Sequence, residues 1–195
     1  SPNTFLINKK YPFVSLIYKK IKSLSANDFE KVGSLICKVL NYKDYFVTKS
    51  TKDEGVDFIA FREDNDFLKT EEIIFGQCKH FEKKLVTVSE IRELAGAITL
   101  FKMNEFMNES SYDYIAKKIK SHSSLKTTFV TSYFFSKEAN KLCNSSGIVP
   151  IDIIDLIYLL IIAQNQGIYN WSDNDLNTFD TNQFENDLKN TNIIY

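Results

Sequence analysis

Three polar residues in two neighbouring apolar segments have the side-chain types that phosphodiester hydrolysis requires. Gln77 and Lys79 are two positions apart, so on a strand their side chains emerge on the same face. Asp57 stands near the start of the preceding apolar segment, and a hairpin would bring its carboxylate beside that pair. A carboxylate, an amide oxygen and a lysine at one sheet edge can hold a divalent ion, orient a water molecule and neutralise phosphate charge. For a lone Q-x-K triplet, a strand that turns a polar face to solvent is the more common explanation.

The elements that must position these residues are legible in the first half of the chain. Apolar residues recur at three- and four-residue steps behind Ser25, which predicts a helix over 26–41. Aromatic and β-branched residues then predict three strands, and a polar stretch over 63–70 predicts the hairpin loop between the last two. The predicted strands cover Tyr45–Ser50, Val56–Arg62 and Glu71–Lys79.

The second half alternates helices and short strands. Thr87 and Glu90 form a capping box, in which the Thr87 side chain is expected to accept from the Glu90 backbone N–H, and a helix follows from 88 past Leu100. Four further elements are predicted: a strand over 127–132, a helix from Ser136 through 142, a strand over 148–151 and a helix from 152 or 155 through 164. The order α-β-β-β-α-β-α-β-α predicts an α/β fold with a central mixed β-sheet flanked by helices.

Composition bounds the class of protein. Hydrophobic residues make up 44% and charged residues 25%, as in an ordinary globular domain. The longest apolar run, 156–163, is too short to span a bilayer, so no membrane association is expected. The three cysteines lack disulfide or zinc spacing, and a cytoplasmic location is expected. Residues 9–52 hold ten lysines against three acids, which suits a polyanionic partner, although a solvated lysine-rich surface is an equal alternative.

Three segments are expected along the chain. Residues 1–24 are an N-terminal extension or the end of a preceding segment, 25–167 are the main domain, and 168–195 are an acidic, Asn-rich tail or linker. The chain begins with Ser rather than Met, which suggests a processed or excised start and a further domain outside the chain.

An ordered set of motifs in 25–162 resembles the Mrr-like restriction endonuclease family of the PD-(D/E)XK nuclease superfamily, in its Q-x-K variant. In chain order the motifs are F-E at 29–30, D-E-G-V-D at 53–57, Q-C-K-H-F at 77–81, I-R-E-L-A-G-A at 91–97, T-S-Y-F-F-S-K-E-A at 131–139 and I-V-P-I-D at 148–152. The resemblance implies a restriction-endonuclease-like core.

The resemblance also implies an active site. Matching by motif assigns it to Asp57, Gln77 and Lys79, with Glu30 of the first helix completing it. Mg²⁺, with Mn²⁺ as a substitute, would be held by Asp57, the Cys78 backbone carbonyl and the Gln77 side-chain oxygen. Lys79 would position or activate the attacking water, and Glu30 would orient Lys79 or a metal-held water.

Two positions depart from the expected pattern. His80 follows Lys79 where another basic residue is expected, and it becomes a candidate for contact with phosphate, although a surface histidine is the more common explanation. The segment 101–126 is longer than in a minimal domain of this type, so the shape of the substrate groove is open. Arg92 and Glu93 are interpreted as a charged pair on the surface of their helix.

The resulting hypothesis is a metal-dependent endonuclease for double-stranded DNA, used in restriction or antiviral defence. A homodimer or higher oligomer and a separate sensor or target-recognition domain are expected partners, since no base-reading element is evident. Three alternatives stay open: a DNA-binding module that has lost cleavage, a nuclease for RNA or single strands, and a protein-interaction domain.

Overall fold

A six-stranded mixed sheet with the order β5-β4-β3-β2-β1-β6 runs through the protein. The computed structural model describes residues 14–48, 55–63, 71–102, 123–165, 181–190 and 193–194. The strands are β1 (Asp44–Thr48), β2 (Phe58–Glu63), β3 (Glu71–Lys79), β4 (Ser124–Thr131), β5 (Ile148–Ile151) and β6 (Ile193–Ile194). The helices are α1 (Val14–Ser23), α2 (Ala26–Val39), α3 (Val88–Lys102), α4 (Lys137–Ser146), α5 (Ile153–Asn165) and α6 (Thr181–Lys189).

The strand directions gather several strand ends at one edge of the sheet. Strands β1, β2 and β3 are antiparallel neighbours, whereas β3, β4 and β5 run parallel. The carboxyl ends of β3, β4 and β5 therefore lie at the same edge as the start of β2. In the register, Phe58 of β2 faces Gly76 of β3, and Lys79 of β3 faces Thr131 of β4.

Two apolar layers cover the sheet, and alternate residues of each strand belong to opposite layers. One layer, the α2/α5 face, joins side chains of α1, α2, α5 and α6 to Phe58, Ile74 and Cys78. The other layer, the α3/α4 face, joins α3 and α4 to Ile59 and Phe75.

Close approach of α2 to β3 depends on two glycines, Gly33 and Gly76. A Cβ at Gly76 would lie 1.9 Å from the Phe58 ring, and one at Gly33 would lie 2.4 Å from the same ring and 2.6 Å from the Cys78 Sγ. The Phe58 ring therefore lies across β3 beneath α2. This packing holds α2, which carries Glu30, against the end of β3.

The predicted α/β fold and its order of elements are confirmed. The third strand has the predicted bounds, while the fourth begins at Ser124, earlier than predicted. The Glu90 carboxylate accepts from the Thr87 N–H at 2.9 Å, as in a capping box, but the Thr87 hydroxyl accepts from the Ser89 N–H at 3.3 Å rather than from that of Glu90. The predicted loop over 64–70 and most of the 101–126 segment lie outside the described residues.

Elements at both ends of the chain join the same layers. Val14, Ile17 and Ile21 of α1 are buried in the α2/α5 face, as are Phe184 and Leu188 of α6. Strand β6 pairs with β1. Part of each segment expected to flank the main domain thus contacts its core. Among the described helices, none is both long and apolar enough to cross a membrane.

Candidate active site

Strands β2 and β3 separate at Asp57, just before Phe58. The Asp57 carboxylate lies in the gap between Asp57 and the end of β3 at Gln77–Lys79, which we call the fork. The Asp57 N–H donates to the Gly76 carbonyl at 2.8 Å, one residue out of the register in which Gly76 faces Phe58. One step further, the Cys78 N–H donates to the Asp57 Oδ2 at 2.6 Å instead of to a backbone carbonyl. Gly55 begins the turn into this fork with a φ of +61°, a backbone conformation that residues other than glycine rarely adopt. The carboxylate is thereby fixed at the end of β3.

Gln77 lies beside Asp57 on the α3/α4 face and is almost fully buried, with 1% of its surface exposed. Its Nε2 atom is 3.7 Å from the place a Cβ on Gly55 would occupy. Its Oε1 atom is buried and has no hydrogen-bond partner among the described residues. An unpartnered buried oxygen costs about 1–3 kcal/mol, so this atom is a ready acceptor for a ligand.

Lys79 ends β3 on the same face as Gln77 and is partly exposed. Its backbone carbonyl accepts from the Ser132 N–H at 3.3 Å and from the Thr131 hydroxyl at 3.1 Å, which fixes the strand end. Within the described part of the chain, no carboxylate lies within salt-bridge distance of its Nζ. The Lys79 ammonium is therefore available to a phosphate or a water molecule.

Glu30 reaches the site from the other layer. Its backbone carbonyl accepts from the Cys78 thiol at 3.8 Å, so α2 lies against the end of β3. Burial and the negative charge of Asp57 raise the pKa of Glu30 to about 7, against a smaller opposing effect of Lys79. Glu30, Asp57 and Lys79 are thus close enough to influence one another.

The electrostatics of Asp57 also disfavour its charge. Burial raises its pKa, and the Cys78 N–H and the Lys79 ammonium oppose this rise. The carboxylate of Glu93, on α3, raises the pKa of Asp57 further. A cation at this point would stabilise the ionised carboxylates.

Cys78 contributes its backbone rather than its thiol. The thiol is buried in the α2/α5 face, and burial raises its pKa well above the ordinary value, so it is a poor nucleophile at neutral pH. Because the Lys79 carbonyl faces β4, the Cys78 carbonyl faces the opposite side, toward β2 and Asp57. This orientation suits the metal-ligand role that the resemblance implies for the Cys78 carbonyl.

His80 is held by the protein on several sides. Its Nδ1 atom is 2.7 Å from the Ser132 Oγ, and its ring stacks on Phe29 with a centroid separation of 5.1 Å. Burial, with a further effect from the Lys22 charge, lowers its pKa. The geometry favours a structural role for His80, and a contact with phosphate stays a prediction.

The donors at the fork fit a hard divalent cation. A carboxylate, an amide oxygen and a backbone carbonyl are the oxygen ligands that Mg²⁺ and Mn²⁺ prefer. Among the described residues, no three His, Cys, Asp or Glu side chains converge closely enough to hold a metal ion. Asp57 is accordingly the one carboxylate in the predicted ligand set, and the unpartnered Gln77 oxygen supports its second member.

Sequence reasoning missed two neighbours of the site. Glu93 was interpreted as half of a surface pair, yet its charge acts on Asp57. Its place one turn before Ala97, within the I-R-E-L-A-G-A motif, was the available signal. Lys22 of α1 donates to the carbonyls of Glu82 at 2.7 Å and Ser132 at 3.3 Å. No local sequence pattern predicted these contacts.

Comparison with known proteins gives matches of two kinds. A family model described as a restriction endonuclease (Mrr_cat) matches residues 21–118. The solved structure of the MspJI restriction endonuclease in complex with a 27-mer oligonucleotide has a TM-score of 0.53 and 17% identity, covering 80% of this chain and 32% of its own. The DNA modification-dependent restriction endonuclease AspBHI has a TM-score of 0.54 and 16% identity, covering 76% of this chain and 35% of its own.

The FokI restriction endonuclease bound to DNA has a TM-score of 0.50 and 10% identity, covering 93% of this chain and 30% of its own. The chain thus spans about a third of the length of these solved structures. At such identities the likeness is one of fold. A search among curated protein sequences found no match.

Proposed function

Because the chain belongs to the restriction endonuclease family Mrr_cat, a nuclease family, we propose that it is a metal-dependent endonuclease that hydrolyses phosphodiester bonds in double-stranded DNA. The observation that carries this proposal is the fork between β2 and β3. There Asp57, Gln77 and Lys79 share one face of the sheet, and the Gln77 Oε1 lacks a partner among the described residues.

Each residue of the fork has a separate role in this proposal. Asp57, the Gln77 side-chain oxygen and the Cys78 carbonyl would hold Mg²⁺ or Mn²⁺. When bound, such an ion supplies Lewis-acid activation and lowers the pKa of a water molecule. Lys79, which has no carboxylate within salt-bridge distance among the described residues, contacts the phosphate and positions the attacking water. Glu30, which lies close enough to Asp57 and Lys79 to interact with their charges, orients Lys79 or a metal-held water.

DNA as the substrate is supported by two structural neighbours, MspJI in complex with an oligonucleotide and FokI bound to DNA. A role in restriction or antiviral defence belongs to the same proposal. Because the chain spans about a third of those structures, target recognition is assigned to a sensor domain outside it. A homodimer would place two such sites on the two strands. The cytoplasmic location and the division at 25 and 167 stay predictions.

A second candidate is a DNA-binding module with weak or no cleavage. It is favoured by the amide at position 77, where many nucleases of this fold have an acid, and by the absence of three convergent metal-binding side chains in the described part of the chain. The intact pair of Asp57 and Lys79 favours the enzyme.

Plasmid cleavage with Mg²⁺ or Mn²⁺ separates the two candidates. We expect wild-type protein to cut, and Asp57→Ala and Lys79→Ala to lose activity by at least about a hundredfold while keeping the wild-type circular dichroism spectrum. Lys43→Ala is the matched control, because this exposed lysine precedes β1 at the opposite edge of the sheet.

Each outcome has a distinct meaning. Cleavage that survives in folded Lys79→Ala would overturn the proposed site. Binding of duplex DNA without cleavage by wild type, under either metal, would favour the binding module. A parallel panel of single-stranded DNA and RNA tests the duplex preference.

A further inference from the structure

Helix α3 brings an additional carboxylate to the proposed site. We propose that Glu93 is a further cation-binding residue, which acts through a metal-held water on the divalent ion that Asp57 ligates. This inference rests on the proposed function, since it concerns the same ion. It assigns to α3 a role in binding as well as in packing.

The position of α3 over the fork is the first observation. A Cβ built on Gly55 would lie 3.3 Å from the Ala97 Cβ, so α3 touches the chain just before Asp57. Glu93 is four residues before Ala97, one helical turn away, and therefore shares its face of the helix. Glu93 thus projects from α3 within one helical turn of this contact.

The layer in which Glu93 lies is the second observation. Asp57, Gln77 and Lys79 occupy the α3/α4 face by strand alternation, because Ile59 and Phe75 of the same strands pack there. Ile91 and Leu94 bury the core-facing stripe of α3 in that layer. Glu30, in contrast, belongs to α2 on the opposite face. The fork therefore lies between acidic residues from both helical layers.

Charge balance is the third observation. Glu93 is exposed, and within the described part of the chain it has no hydrogen bond or ion pair. Its negative charge and that of Asp57 repel each other. When ionised, Glu30, Asp57 and Glu93 carry three negative charges, against the positive charges of Lys79 and Lys31. The net charge around the fork is therefore negative, which favours a bound cation.

A separate observation indicates that a ligand belongs at the fork. The Gln77 Oε1 is a buried acceptor without a partner among the described residues, and Gln77 is only 1% exposed. Because no three acidic side chains converge within direct ligand distance there, Glu93 is assigned to the outer sphere of the ion. Hydrogen bonding of an ion's water to an outer carboxylate strengthens metal binding.

Isothermal titration of Mn²⁺ into metal-free protein tests the assignment without relying on activity. Glu93→Gln keeps the shape of the side chain and removes its charge, and we expect its Kd for Mn²⁺ to rise by about tenfold. The control is Glu138→Gln, an exposed glutamate in the first turn of α4, which should bind as wild type does. An unchanged Kd in folded Glu93→Gln overturns the inference.

A second measurement separates metal binding from a structural effect. At Mn²⁺ concentrations well above the weakened Kd, Glu93→Gln should recover the wild-type cleavage rate, which a distorted site would not do. Failure to recover at saturating Mn²⁺ overturns the outer-sphere role.

Asp57→Ala distinguishes this inference from the proposed function. If wild type binds Mn²⁺, Asp57→Ala abolishes binding and Glu93→Gln leaves it unchanged, only the inference about Glu93 fails. If wild type binds no Mn²⁺, the metal-dependent function fails with it.

Discussion

The two ends of strand β3 carry polar residues that are treated in opposite ways. At its start, Glu72 is 7% exposed and fully surrounded by partners. Its carboxylate accepts from the Tyr42 hydroxyl at 2.5 Å, from Arg62 at 2.9 Å and from Lys126 at 2.5 Å. The Arg62 guanidinium also lies 5.1 Å from the centre of the Tyr42 ring. The Glu72 carboxylate thus has three partners, two of them positively charged.

At the other end of the strand, the polar groups on and around it are less well compensated. The Gln77 Oε1 has no partner among the described residues, and Asp57 and Glu30 face each other's charge. The pKa directions reflect the difference. Burial raises the pKa of Glu72, but hydrogen bonds from Lys126 and Tyr42 outweigh it and lower the pKa overall, whereas the pKa values of Asp57 and Glu30 are raised.

The contrast indicates where the strand stabilises the fold and where it prepares for a ligand. Both ends are buried, so burial alone does not distinguish them. Unmatched polar groups cost stability, and a fold retains them where a ligand or a reaction needs them. The comparison can therefore be broken or sharpened by substitutions at each end.

Removal of Glu72 should produce the largest loss of stability. Glu72→Ala leaves Arg62, Lys126 and the Tyr42 hydroxyl without their shared acceptor. Because Arg62 and Lys126 are 30% and 50% exposed, solvent recovers part of the loss, and we expect a decrease of about 2 kcal/mol in the free energy of unfolding, measured in urea.

The matched control for Glu72 is Glu63→Ala, which removes an exposed carboxylate from the end of β2 and should change the free energy of unfolding by less than about 0.5 kcal/mol. Cleavage per folded molecule should be unchanged in Glu72→Ala. A loss of cleavage comparable to that of Lys79→Ala would show that the two ends are coupled and would break the comparison.

Glu30 should give stability a pH dependence of its own. Its pKa is about 7 in the folded protein against an ordinary value of 4.5, so the folded state binds more protons than the unfolded state between these values. The free energy of unfolding should therefore fall as pH rises through this window. Glu30→Gln should remove the fall, which we expect to be about 1 kcal/mol because solvent screens a half-exposed group.

Urea denaturation of metal-free wild type and Glu30→Gln across that pH range measures the effect. Glu138→Gln, an exposed control, should follow wild type. Glu72 contributes with the opposite sign, since its lowered pKa adds stability that is lost as pH falls through the acid range. Equal pH profiles for wild type and Glu30→Gln would remove the electrostatic part of the contrast.

Sequence periodicity predicts the secondary-structure elements and places three of the candidate site residues near one another. Alternation within β3 places Gln77 and Lys79 on one face, and a hairpin brings Asp57 opposite them, because both rules are local. Glu30 was assigned through a motif in a separate helix. The expected placement of Gln77, Lys79 and Asp57 follows from local patterns, whereas Glu30 was assigned by resemblance to the family.

The remaining features depend on contacts between distant segments. The Asp57 side chain replaces a ladder acceptor for Cys78, which only the separation of two strands creates. Lys22 and Glu93 approach from helices whose docking is set by the apolar layers, not by their own sequence. Phe184 lies in a segment rich in polar residues, so composition indicated a tail, whereas its ring is buried in the α2/α5 face.

The last prediction concerns Gln77 and has the opposite sign to that for Glu72: removal of the polar group should raise the free energy of unfolding. Gln77→Met keeps the length of the side chain and removes the unpartnered oxygen, so we expect the free energy of unfolding to rise by about 1 kcal/mol. Thr128→Val is the opposite case, because the Thr128 hydroxyl donates to the Val149 carbonyl at 2.9 Å and its loss should destabilise by about 1 kcal/mol. Urea denaturation of both variants compares them directly.

Gln77→Met should also bind Mn²⁺ more weakly, since the oxygen that costs stability is the one assigned to the ion. A Gln77→Met protein that is less stable than wild type in the absence of metal would mean that the amide is satisfied within the fold, and the two ends of β3 would then differ in charge alone.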